Sequence, residues 1–123
     1  MQRIRVDQLE AWVLSVVDRV LRKEPIEDSR VELKSDWIPP QKAARRLAGH
    51  ANASAGAPVL WIIGLHEVDG LVPFNAQDPA KWIAQLNAEF DGVAPDLLHS
   101  ISVPSGGTSV YALLFDTMRR LTW

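Results

Sequence analysis

The sequence predicts an α/β domain of the α+β kind, with three helices and a mixed sheet of about four or more strands in two layers. Three observations predict it. Helical periodicities alternate with short strand-like runs, the pattern of helices packed on a sheet. Two closing strand-like runs flank Pro104-Ser105-Gly106-Gly107, a hairpin turn by composition, which makes the sheet mixed. The length of 123 residues, 47% of them apolar, suffices for one core and excludes two full domains.

Each element has a local reason. From Val6 the apolar residues Leu9, Trp12, Val13, Val16, Val17, Val20 and Leu21 recur at helical spacing, with Asp7 expected as N-cap and Glu10 reaching back to it. Arg30-Val31-Glu32-Leu33-Lys34 alternates like a strand, Val31 and Leu33 inward and the charges outward. Pro39-Pro40 opens a second helix to about Asn52. Its Ala44, Leu47, Ala48 and Ala51 share one side, and Lys42, Arg45 and Arg46 share the other. After the small residues Ala53 to Pro58, the apolar run Val59 to Leu65 suits a central strand covered on both faces, and His66 to Gly70 a polar turn. Asp78-Pro79 caps and starts a third helix with Trp82, Ile83, Leu86 and Phe90 inward, ending near Asp91-Gly92. Strands follow over about Leu98 to Val103 and Ser109 to Phe115.

Composition narrows the function classes. Thirteen Lys and Arg against fifteen Asp and Glu give a formal net charge of −2, which excludes a broad basic field for nucleic acid and leaves room only for a local patch. No cysteine is present, so disulfides and thiolate metal sites are excluded, and a reducing cytoplasm is the expected location. The longest apolar run, Pro58 to Leu65, is too short for a membrane helix, and no secretory segment is expected from Met1 to Arg5. There is no phosphate loop, dinucleotide fingerprint, HExxH or nucleophile elbow, and His50, His66 and His99 stand too far apart to form a local ligand pair.

Three segments in the middle of the chain form an ordered set. Glu27-Asp28-Ser29-Arg30-Val31-Glu32-Leu33-Lys34 is similar to the pattern E-S-x-x-x-E-(F/L)-K, Gly49 to Gly56 to A-F-A-N-T-x-G-G, and Leu60 to Glu67 to L-x-I-G-V-x-D. In that order and spacing they resemble the Schlafen/AlbA-type DNA-binding domain, over Glu27 to Phe115. His50 stands where the pattern has phenylalanine, Ala53 where it has threonine and Ala55 where it has the first glycine, and Pro58 interrupts the passage into the strand. The organisation expected is a single domain over residues 1–123, with an added N-terminal amphipathic helix over 1–23 and the Schlafen/AlbA-like core over 24–117.

The resemblance implies a DNA- or RNA-binding domain of the kind found in transcriptional regulators, and the cationic side of the second helix supports that on its own. Lys34, Lys42, Arg45 and Arg46 are the expected phosphate contacts, with Asn52 beside them at the helix end, and no cofactor is needed. Asn52 also suits a structural cap, and Glu32 with Lys34 a paired strand face. Trp12, Trp61 and Trp82 fall inward, while Trp37 and Trp123 are the candidates for base stacking. A second reading is a protein-interaction or homodimerisation module that docks through the tryptophan-bearing first helix. A third is a metal-dependent ribonuclease, as in some animal Schlafen proteins, in which Glu27, Glu32 and Glu67 or Asp69 hold Mg²⁺ or Mn²⁺. The first, non-enzymatic reading is the expectation carried forward.

Overall fold

The computed structural model describes residues 4–117, except residues 55 and 76. Helix α1 (Val6–Leu21) follows the predicted stripe and buries Leu9, Val13, Val16, Val17 and Val20. Its start differs from expectation. Arg5 rather than Asp7 occupies the N-cap, and its backbone N–H donates to Gln8 Oε1 at 2.9 Å, the return bond that Glu10 was expected to make. Asp7 lies inside the first turn, where its charge suits the positive end of the helix dipole, and Arg5 Nε pairs with it at 3.2 Å.

The remaining elements are β1 (Val31–Lys34), α2 (Pro40–Ala53), β2 (Val59–Ile63), β3 (Leu65–His66), β4 (Gly70–Leu71), α3 (Pro79–Ala88), β5 (Asp96–Ser105) and β6 (Thr108–Asp116). The main sheet has the order β1-β2-β6-β5, and β3 pairs with β4 in a small second sheet. β1 runs parallel to β2, Val31 opposite Leu60 and Lys34 opposite Ile63, whereas β6 is antiparallel to both β2 and β5. The α+β class and the mixed sheet are therefore as the alternating pattern predicts.

The layering is not. β2 is buried along its whole length, and its alternate side chains enter two separate cores. Leu60 and Ile62 join Val31, Leu33, Val110, Ala112, Leu114 and the α1 stripe, while Val59 and Trp61 join Leu113, Phe115, α2 and α3. With helices on both faces the domain has three layers rather than two, because a strand apolar at every position needs cover on both sides. The first helix is thus no appendage but the cover of one face, and its stripe, which could pack on the sheet or serve a partner helix, is buried on the chain's own sheet.

Local chemistry ends each element. Gly64, at φ +96°, splits the apolar run from Val59 to Leu65; its N–H donates to the Lys34 carbonyl at 2.7 Å and its carbonyl accepts from Val72 N–H at 3.0 Å. The chain then turns through Glu67, Val68 and Asp69 into β4. Asp78 caps α3 as predicted, accepting from Ala80 N–H at 3.1 Å, with Pro79 at the first helical position. Gly106 and Gly107, at φ +58° and +80°, join β5 to β6 with the positive dihedrals of a tight hairpin. Both strands are longer than expected. Pro104 lies inside β5, which tolerates a residue without N–H because β5 is an edge strand.

The four described tryptophans are packed into the fold. Trp61 is fully buried, Trp82 nearly so, and Trp12 is half-buried under the Arg30 guanidinium, 4.8 Å from its ring centroid. Trp37 corrects an expectation: it is half-buried, with Trp82 at 5.1 Å and Tyr111 at 5.6 Å between ring centroids, so it packs in an aromatic cluster instead of offering a free stacking face. Trp123 lies outside the described residues.

Candidate functional site

The site begins with α2. Ala43, Ala44, Leu47, Ala48 and Ala51 are buried against the sheet, so the opposite positions turn to solvent at the edge where β1 ends the sheet. Glu32, on the β1 face opposite to Val31 and Leu33, comes up beside that helix. The result is a groove of about 700 Å³ lined by Glu32, Lys34, Ile38, Lys42, Arg45, Arg46, Gly49 and His50. The four predicted cations therefore converge on one groove, although they come from two elements separated by a turn.

A single carboxylate sits among them. Glu32 Oε2 accepts from Arg46 Nε at 2.7 Å and pairs with Lys34 Nζ at 3.2 Å, and its side chain is only 20% exposed. Burial pushes this carboxyl up, but the hydrogen bonds and charges of Arg46 and Lys34 outweigh it and hold it below the usual carboxylate range. The sign follows: an acid with a depressed folded pKa stabilises the fold above its unfolded value, and that contribution is lost as pH falls through the folded value. We expect Glu32→Gln to shrink the acid limb of thermal stability. It does not abolish it, since Asp7 and Asp28 are also held low by hydrogen bonds from Arg5 and Arg30. Melting curves collected in steps of falling pH check this, and coincident profiles for the two proteins would contradict it.

The groove's walls are tied to the core. His50 Nδ1 accepts from Trp61 Nε1–H at 3.1 Å, and because an indole nitrogen only donates, His50 Nε2 carries the proton that it gives to the Ser29 carbonyl at 2.7 Å. One imidazole thus joins α2, the buried β2 tryptophan and the turn before β1. Ile38, beside it in the lining, accepts through its carbonyl from Trp82 Nε1–H at 2.9 Å. His50 and Gly49 were not expected at the site, yet a helical wheel reveals them: they continue the face of Lys42, Arg45 and Arg46 by one more turn.

Other expected residues fall elsewhere. Asn52 is exposed in the last turn of α2 and is not among the groove's lining residues; Ser54 takes the C-cap position, with its Oγ donating to the Ala51 carbonyl at 2.8 Å. Thr117 Oγ1 donates to the Ala57 carbonyl at 2.6 Å and lies 3.0 Å from Ser54 Oγ, fastening the loop after α2 to the end of β6. The acids do not assemble. Glu32 and Glu67 border a common hollow, Glu27 is exposed outside its lining, and Asp69 stands 3.5 Å from His66 Nδ1 in the β3–β4 turn. Among the described residues no three acids or histidines stand together as a metal site, and Glu32 is already engaged by two cations. Glu27, Glu32, Glu67 and Asp69 are thus not brought together among the described residues. Among the described residues, too, no helix is long and apolar enough to cross a membrane.

In comparisons with family models, curated proteins and solved structures, nothing matches this chain.

Proposed function

We propose that this chain is a nucleic-acid-binding domain of the Schlafen/AlbA type, acting in a reducing cytoplasm within a transcriptional-regulator-like protein, and that the β1–α2 groove holds the phosphate backbone. The observation that carries the reading is the convergence of Lys34, Lys42, Arg45 and Arg46 on one groove in a chain whose net charge is −2. Such a groove binds through ion pairs that release counterions, so affinity falls steeply with salt. Phosphate contacts position a nucleic acid but do not read its bases, and among the described residues the lining adds only Glu32 and His50 as other polar side chains, both already bonded. General binding of DNA or RNA is the corresponding expectation.

Anisotropy titrations with duplex DNA and with RNA test it. If all four cations engage phosphates, the slope of log affinity against log salt is about −3 to −4. Lys42→Gln with Arg45→Gln reduces that slope by about two and weakens binding at low salt by about tenfold or more. No affinity for either nucleic acid at low salt, or affinity untouched by the double substitution, overturns the reading.

A further inference from the structure

β1 is the last strand of its sheet, and its ladder shows which backbone groups remain on the open side. The Arg30 carbonyl accepts from Leu60 N–H and the Lys34 carbonyl from Gly64 N–H, each at 2.7 Å. By the two-residue period of a parallel ladder, Glu32 also turns its backbone to β2, and Val31 and Leu33 turn theirs away. The Val31 N–H is taken by the Asp28 carbonyl at 3.1 Å, which leaves the Leu33 N–H and the carbonyls of Val31 and Leu33 along the outer edge.

That edge is open. A hollow of about 310 Å³ is lined by Val31, Glu32 and Leu33 together, with Ile26, Arg46, His66 and Glu67. Val31 and Leu33 point to the α1 core and Glu32 to the opposite face, so a hollow touching all three has to pass round the strand's edge, since β2 closes its other side. Glu32 and Arg46 also line the basic groove, so the two spaces adjoin across β1.

We propose that the free edge of β1 takes an extended segment of a partner protein as an added strand, and that this segment alternates acidic with apolar side chains. Strand addition supplies affinity through main-chain hydrogen bonds and specificity through pockets for alternate side chains. Side chains of the added strand that fall on the α2 face meet Lys34, Lys42, Arg45 and Arg46, which select carboxylates. Those on the other face meet Ile26, Val31 and Leu33, which select apolar groups. The inference does not rest on nucleic-acid binding, but it uses the same cations, so the peptide and a nucleic acid exclude each other.

The test uses the intact chain and a labelled synthetic peptide alternating glutamate with valine, together with a scrambled peptide of the same composition. Two further peptides are N-methylated on one or the other alternate set of amides. The expected result is binding of the parent peptide, loss of about tenfold or more on methylating one set but not the other, and slowed exchange of the Leu33 amide in the complex. Absence of parent binding at millimolar concentration overturns the proposal. So does equal binding of the scrambled and both methylated peptides, which would mean charge attraction alone. The nucleic-acid titrations are made without peptide and the peptide titrations without nucleic acid, so the two readings fail separately.

Discussion

A Trp61→Ala variant loses about 3–5 kcal/mol of folding stability, a large share of the roughly 5–15 kcal/mol that holds a domain together. Trp61 has no exposed surface, stands edge-on to Phe115 with ring centroids 6.1 Å apart, and donates to His50. Alanine leaves a cavity between β2 and α2 and an imidazole nitrogen without its donor. The groove suffers with the core, because α2 carries Lys42, Arg45 and Arg46 and is seated on that ring. Urea unfolding followed by circular dichroism measures the loss. Trp61→Phe separates the causes: it keeps most of the volume and forfeits the hydrogen bond, at about 1–3 kcal/mol. A phenylalanine variant as unstable as the alanine one would show that the hydrogen bond, not the packing, dominates at this position.

Gly64→Ala costs about 2–4 kcal/mol, from backbone strain and overpacking together. At φ +96° the backbone is in a region that a side chain strains to enter, and an added Cβ would stand 2.6 Å from Phe74 Cδ1. Both effects act where Gly64 N–H holds the Lys34 carbonyl, so the variant also loosens the strand that presents Lys34 and Glu32. Phe74→Leu in the same chain relieves the contact and leaves the dihedral strain, so it restores only part of the loss. Full stability in the single variant, read from its denaturation midpoint, would contradict this account of the β2 terminus.

How much of this was legible beforehand follows from how local each cause is. Helix faces, the Asp78-Pro79 start, the glycine hairpin and the burial of Trp61 and Trp82 depend on residues within a turn or two, and the patterns expose them. The cap of α1 differs from the expected Asp7 because the backbone path, and not residue preference, places Arg5 at the start with Gln8 reaching back to it. The α2 side of the groove could be read from spacing, since Lys42, Arg45, Arg46, Gly49 and His50 lie on one helical face. Asn52, one position further round, falls off it.

By itself the sequence determined the α+β class, a mixed sheet, and a small cationic face set in an acidic chain, because these follow from period, turn chemistry and charge count. Only the tertiary structure decided the rest. It turned α1 inward as a third layer, withdrew Trp37 into an aromatic cluster, brought no three acids or histidines of the described residues together, and laid β1 along the sheet's edge beside α2. There Glu32 binds Arg46 and Lys34, and the same strand leaves backbone groups open. Those outcomes depend on contacts between residues far apart in the chain, and a strand's pattern specifies which of its residues share a face without specifying what that face will meet.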